Sequence, residues 1–114
     1  MKKIMFSVGE PSGEMLAIEV IKKLKNYKDD ELYFFGMGGK KLQSHSFKLI
    51  VDSTDLAIIG FIEVFNKWFS LKKALKKLHC ELIRNRPDIL ILVDYVEFNL
   101  RLGQIAKSLG IPVI

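Results

Sequence analysis

The sequence has few of the residues that build disulfide frameworks or zinc sites. Its 114 residues include one cysteine and two histidines. A single thiol cannot form an internal disulfide, and His45 and His79 lie far apart with no second cysteine to complete a zinc-binding spacing. These counts exclude a small disulfide-stapled scaffold and favour a reducing compartment.

Long apolar runs, internal repeats, low-complexity segments and linkers are also lacking. No run approaches the roughly 20 apolar residues of a spanning helix, and the start is too short in apolar residues to be a signal peptide. The sequence therefore predicts a cytoplasmic protein. Its composition, 49% hydrophobic and 27% charged, is that of a soluble globular domain. The net charge of +5 favours an anionic partner, such as nucleic acid, a phosphate-bearing metabolite or acidic lipid.

The clearest structural signal is a run of five aliphatic residues, Ile89–Val93. A strand exposed on one side would alternate apolar with polar residues, so this run indicates a strand buried on both faces of a parallel sheet. Other short apolar runs alternate with helical patterns, which is typical of βαβ units. We predict strands at Ile4–Val8, Leu32–Phe35, Phe47–Val51, Ile89–Val93 and Ile111–Ile114, and an open parallel sheet with helices on both faces.

The intervening segments carry helical spacing. One helix follows Ser12, a short one spans Lys40–Gln43, and a long one runs from near Asp55 to Asn85 with a break at Gly60; a last one is closed by Gly110. We expect the first and fourth strands to be adjacent at the centre of the sheet. A terminal strand with no following helix leaves one face poorly covered, which leads us to expect a longer protein.

The loop Gly9–Gly13 joins the first strand to the first helix, as phosphate-binding loops do. It lacks both the three-glycine dinucleotide spacing and the Gly-Lys pair of the P-loop, and Glu10 would repel a pyrophosphate. A dinucleotide-dependent dehydrogenase is therefore disfavoured. Two interpretations stay open: a ligand-binding loop, or a simple turn in which Ser12 caps the helix. Gly38 and Gly39 follow the second strand, where glycine usually indicates only a tight bend, and a ligand contact is the weaker interpretation.

Asp94 follows the buried strand directly and so lies at the sheet edge where open α/β folds bind ligands. It could accept a proton from a substrate hydroxyl, or it could cap the following helix. Glu97 and Asn99 share this ambiguity. Strand order and handedness together predict that Glu10 and Asp94 face one another above the same edge.

The long helix has two distinct faces. At about 100° per residue, one narrow stripe is predicted to pack on the sheet, and a second flank combines aromatic and aliphatic residues with lysines. A flank of this kind suits an anionic membrane surface, or burial against another part of the protein or a partner subunit. The stripe comprises Val64, Trp68, Leu71, Leu75, Leu78 and Leu82, and the flank comprises Ile62, Phe65, Phe69, Lys72, Lys73 and Lys76.

Four blocks together resemble the amino-terminal portion of the lipid-A-disaccharide synthase family. They are Val8–Glu14, Gly36–Gly39 with Gln43, Leu56–Val64, and Pro87-Asp88 with Asp94–Arg101, in the family's order and spacing. The resemblance covers essentially the whole chain. The family usually has proline and aspartate where this chain has Val96 and Glu97.

The resemblance implies the Rossmann-like amino-terminal half of a GT-B glycosyltransferase. Residues 1–114 would be its acceptor-side domain, apparently truncated, without the carboxyl-terminal nucleotide-sugar domain and therefore inactive alone. The reaction would join UDP-2,3-diacylglucosamine to 2,3-diacylglucosamine 1-phosphate and release UDP, in lipid A biosynthesis. No metal and no cofactor are implied.

The resemblance also assigns roles to residues. Asp94 would be the general base, and the acceptor side would be lined by Glu10, Ser12, Gly13, Gly38, Gly39 and Asn99. The aromatic and basic flank would contact the anionic surface of the inner membrane, making the protein peripheral to it on the cytoplasmic side.

Two other classes of function remain open: a non-catalytic α/β binding module and a basic nucleic-acid-binding domain. The second is disfavoured because the lysines lie among aliphatic and phenylalanine residues, with no nucleic-acid motif.

Overall fold

The computed structural model describes residues 1–27, 31–55 and 64–114. The block around Gly60, including its predicted helix break, lies outside the described residues. The elements are β1 (Lys2–Val8), α1 (Pro11–Tyr27), β2 (Leu32–Gly38), α2 (Lys40–Gln43), β3 (Phe47–Asp52), α3 (Val64–Asn85), β4 (Ile89–Val93) and α4 (Val96–Ser108).

The four strands form one parallel sheet in the order β3-β2-β1-β4. The terminal segment adds to the free side of β4, where the amide of Leu92 donates to the carbonyl of Ile114 at 3.0 Å and Val113 bridges Leu90. The predicted α/β class is confirmed, and so is the pairing of the first and fourth strands. Their central position is not: β4 is the last strand of the described sheet, because the predicted fifth strand, Ile111–Ile114, is reduced to an isolated bridge at Val113.

Helices cover both faces of the sheet. On one face, α1 and α2 pack on a cluster of aromatic and aliphatic side chains that includes Phe6, Phe34 and Phe47. On the other face, α3 and α4 pack on a cluster that includes Met5, Phe35 and Leu90. The two-sided burial explains why β4 reads as an unbroken aliphatic run.

The second strand is longer than the glycine pattern predicts. Gly36, interpreted as part of the turn after the strand, lies inside β2 at a φ of 134°, next to a shift in register between Gly36 and Met37. A Cβ at Gly36 would overlap with the carbonyl oxygen of Phe6 in β1. The glycine is therefore needed for a backbone conformation and a close strand approach.

The predicted sheet-facing stripe of α3 is correct for its later residues and wrong for Trp68. Leu78 and Leu82 are fully buried, whereas Trp68 is 53% exposed. The 22 residues of α3 are about 33 Å long, while the five residues of β4 span about 17 Å. Because α3 ends just before β4 begins, its amino-terminal half extends past the carboxyl edge of the sheet, and Trp68 with it.

Candidate active site

The strand order creates a switch point between β1 and β4. The chain leaves β1 toward β2 and β3 on one side and returns to β4 on the other, with Val8 in register with Val93. Open α/β sheets bind ligands in the crevice outside such a point. The loop that carries Glu10 and the loop that carries Asp94 flank this crevice, so both acids lie at one edge, as predicted.

Asp94 lies against the first turn of α1. A Cβ at Gly13 would overlap with Oδ2 of Asp94 and would approach the side chain of Val93, so only glycine allows this contact. Asp94 is exposed, and its carboxylate forms no hydrogen bond to the residues that the structure describes. The amino end of α1 carries partial positive charge, which makes this edge favourable for an anionic group.

Neither predicted cap is present. The helix α1 begins at Pro11, a favoured first helical residue, so Ser12 lies inside the helix, exposed, and does not precede it. The residue before α4 is Tyr95, with no side-chain capping bond. Asp94 and Tyr95 both have left-handed backbone, at φ 57° and 52°. Two consecutive left-handed residues carry strain, which is often found at functional sites.

Tyr95 is a site residue that the sequence analysis missed. Its ring packs so closely on Gly9 that a Cβ there would overlap with it, and its centroid lies 5.6 Å from that of Phe98. Burial, and secondarily the carboxylate of Glu10, raise the pKa of Tyr95. The ring of Tyr95 links the loop after β1 to the loop after β4. The glycine directly after β1 was the available signal, because it indicates that another group approaches the backbone.

Asn99 is buried, with 3% of its surface exposed. Its Nδ2 donates to the carbonyl oxygens of Ser7, Val93 and Asp94 at 3.0, 3.2 and 2.6 Å, and its Oδ1 accepts from the hydroxyl of Ser7 at 2.6 Å. These contacts tie the ends of β1 and β4 together. Both polar atoms of the Asn99 side chain are hydrogen-bonded to other residues of the protein, which supports a role in fixing the geometry of the sheet edge. The predicted contact of Asn99 with substrate stays a prediction. A serine in an otherwise apolar strand was the signal for this network.

Gly38 and Gly39 lie at the carboxyl end of β2, next to the same edge, and both are buried. A Cβ at Gly39 would overlap with the carboxylate of Glu14, whose Oε2 accepts from the amide of Leu42 at 3.3 Å. Glu14 thus links α1 to α2. A role of Gly38 and Gly39 in substrate binding stays a prediction.

The aromatic and basic flank of α3 is described in part. Ile62 lies outside the described residues, and so does the side chain of Phe65. Phe69 is 61% exposed and packs edge-on against Trp68 at 5.3 Å between ring centroids. Lys73 and Lys76 are exposed, and Nζ of Lys72 lies 5.0 Å from the centroid of Trp68. None of the helices described in residues 1–27, 31–55 and 64–114 combines the length and apolarity required to cross a membrane.

Comparison with known proteins gives the same family as the motifs. The sequence model of a family described as lipid-A-disaccharide synthetase matches residues 4–114. The chain belongs to this family. One similar protein is the lipid-A-disaccharide synthase of Trichlorobacter lovleyi. It is 36% identical to this chain over 113 residues, which is 99% of the chain.

Two further relatives carry the same name. The protein from Koribacter versatilis is 35% identical over 114 residues, which is 100% of this chain. The protein from Myxococcus xanthus is 37% identical over 111 residues, which is 97% of this chain. The chain spans 29%, 30% and 29% of the lengths of these three lipid-A-disaccharide synthases.

Proposed function

We propose that this chain is the acceptor-side part of a glycosyltransferase of lipid A biosynthesis. The reaction joins UDP-2,3-diacylglucosamine to 2,3-diacylglucosamine 1-phosphate and gives lipid A disaccharide 1-phosphate and UDP. Family membership supports this reaction. The observation that carries it is the exposed carboxylate of Asp94, with no hydrogen bond to the described residues, beside the crevice between β1 and β4.

In the proposed mechanism Asp94 acts as a general base. Its carboxylate takes the proton from an acceptor hydroxyl as that oxygen attacks the anomeric carbon of the donor, and the bond from that carbon to the UDP oxygen breaks. The left-handed backbone of Asp94 and the missing Cβ of Gly13 allow the carboxylate to lie at the amino end of α1. Glu10 and Ser12 are exposed on the facing loop and first turn and would line the acceptor side of the crevice.

The proposed membrane contact lies at the same edge of the sheet as the crevice. The start of α3 projects beyond the sheet edge and exposes Trp68 and Phe69 next to Lys72, Lys73 and Lys76. Aromatic rings suit the interface of a bilayer, and lysines suit its anionic headgroups. Reversible attachment there, at the inner membrane, would bring the crevice to substrates that carry acyl chains.

The test of the reaction uses the full-length synthase that carries this chain, because GT-B enzymes hold the nucleotide mainly with the carboxyl-terminal domain. For the same reason residues 1–114 alone are expected to transfer no sugar. Asp94→Asn keeps the size of the side chain and removes the proton acceptor, so turnover at saturating substrate should fall about a hundredfold to ten-thousandfold. Glu19→Gln, an exposed carboxylate on α1 far from the edge, is the matched control and should keep normal turnover. Near-normal turnover of Asp94→Asn would show that Asp94 has a structural role only.

A further inference from the structure

A cleft of about 370 Å³ lies between the amino-terminal parts of α3 and α4, and the proposed chemistry does not use it. Small-molecule sites occupy roughly 300 to 1,000 Å³. Its apolar floor is formed by Trp68, Leu71, Leu75 and Phe98, and its charged rim by Lys72, Glu97 and Arg101.

The floor suits a flexible hydrocarbon chain. Leu71 and Leu75 are half-buried and pack against the core beneath α3, and Phe98 is buried, so these side chains form a continuous apolar surface. Trp68 closes one side with its ring half exposed. The floor offers apolar contact, and the polar groups of the cleft lie at its rim.

The rim suits an anionic head group. The two ion pairs found in the described part of the chain join Lys22 to Glu19 and Arg84 to Glu81, so neither Lys72 nor Arg101 has a described carboxylate within 4.0 Å. Glu97 is the one acid of the rim. Two cations against one carboxylate leave a net positive rim, and arginine in particular binds phosphate through two parallel hydrogen bonds.

The cleft opens at the same edge as the crevice. Glu97 and Phe98 lie in the first turn of α4, directly after Asp94 and Tyr95, and the ring of Phe98 packs on that of Tyr95. Lys72 belongs both to the rim and to the aromatic and basic flank. A molecule with its polar end at the crevice could therefore extend its apolar end between the helices.

We infer that this cleft binds one acyl chain of the acylated sugar phosphate, with Lys72 and Arg101 beside its phosphate. The choice of an acylated sugar phosphate as the ligand rests on the proposed function. The occupant is a single substrate molecule, and a bilayer lipid in the same cleft is an alternative that the experiment separates from it.

The binding test uses the 114-residue chain, in which Trp68 is the single tryptophan and so reports on the cleft by its fluorescence. The probe is decyl phosphate below its micelle concentration, compared with neutral decyl maltoside and with inorganic phosphate. Decyl phosphate should give a saturable change, tighter than the maltoside, and phosphate alone should bind about a hundredfold more weakly or not at all. Lengthening the alkyl chain should tighten binding about fourfold per methylene until the cleft is full.

The matched variants reverse two charges each on the same two helices. Lys72→Glu with Arg101→Glu should weaken decyl phosphate binding about tenfold or more, because two charge-assisted contacts are replaced by repulsion. Lys77→Glu with Lys107→Glu makes the same change of net charge at exposed positions outside the cleft and should alter binding less than about twofold. Circular dichroism should show equal helix content in both.

Three results would overturn the inference. Equal weakening by the two pairs of substitutions would show general attraction to charge, and unchanged binding of the rim variant would place the ligand elsewhere. No saturable change with monomeric decyl phosphate would refute the cleft as a site for a single amphiphile, and a change with phosphatidylglycerol vesicles alone would then report only contact of Trp68 with a bilayer.

A failure of the cleft proposal can be distinguished from a failure of the proposed function. In the full-length enzyme, active transfer with an unchanged KM for the acylated acceptor after Lys72→Glu with Arg101→Glu would refute the cleft alone. Amphiphile binding as expected without sugar transfer would refute the reaction alone.

Discussion

Replacing Asn99 should cost a large part of the stability of the sheet. Its side chain donates to three carbonyl oxygens and accepts one hydroxyl, all at the ends of β1 and β4. Asn99→Leu keeps a similar volume and removes all four contacts. A buried hydrogen bond contributes about 0.5 to 1.5 kcal/mol net, and a polar group left unpaired costs about 1 to 3 kcal/mol.

We expect Asn99→Leu to lower the free energy of unfolding by about 3 to 5 kcal/mol, against a typical total of about 5 to 15 kcal/mol. Urea unfolding followed by circular dichroism measures this difference. Ser7→Ala removes one hydrogen bond and should cost about 1 to 2 kcal/mol. Gln104→Leu, an exposed amide on the same helix, is the matched control and should change stability by less than about 0.5 kcal/mol.

The double variant Ser7→Ala with Asn99→Leu tests whether the network acts as a unit. Because both single changes remove the same Ser7–Asn99 hydrogen bond, their costs should not add, with a coupling of about 1 kcal/mol. A loss below about 1 kcal/mol for Asn99→Leu, or full additivity in the double variant, would refute the assignment of Asn99 as the residue that holds the two strand ends.

Three further predictions address the strand contact, the flank and the phenol. Gly36→Ala should destabilise the fold by about 3 kcal/mol or more in thermal or urea unfolding, because it combines a positive φ with overlap on β1; Gly110→Ala, at φ 78° with open space around it, should cost only about 1 kcal/mol. Phe69→Ser should weaken co-sedimentation with phosphatidylglycerol vesicles about tenfold, at low and high salt alike, whereas Leu100→Ser, 60% exposed on α4, should have no effect; equal loss in both would argue against the flank. Tyr95, with its pKa raised in the folded state, contributes stability that is complete below the pKa of about 10 of the unfolded chain and is lost as pH rises through the higher folded value. Tyr95→Phe should therefore lose less stability than wild type between neutral and strongly alkaline pH, and identical pH profiles would contradict the raised pKa of the half-buried Tyr95.

The sequence was sufficient to predict the fold class and to predict which loops lie together. Period and length alone located β4, because five consecutive aliphatic residues can only be satisfied by burial on both faces. The predicted adjacency of β1 and β4 is confirmed, and because the two strands are parallel, the loops that follow them, with Glu10 and Asp94, lie at one edge of the sheet. The bounds of β2 were wrong because glycine is used both for turns and for close strand approach, and the sequence does not distinguish the two.

The candidate site was less accessible to sequence reasoning. Asp94 could be named as a candidate base from its place after a strand, but whether it caps α4 depended on the left-handed backbone of Asp94 and Tyr95. Tyr95 and the network of Asn99 were missed because the contacts that join the two strands link residues far apart in the chain: Ser7 and Asn99 are 92 positions apart, and Tyr95 packs on Gly9. Hydrophobic periodicity carries no information about such pairs.

The sequence by itself determined the order of the elements, the faces that become the core and the family motifs, because these depend on local spacing and residue type. Only the tertiary structure decided that α3 extends past the sheet and exposes Trp68, that this end of α3 and the start of α4 enclose a cleft, and that Gly13 lies against Asp94. The physical reason is that these features are contacts between elements that are separate in the chain. They depend on how the elements are placed when packed together, and the spacing of residue types along the sequence does not specify that placement.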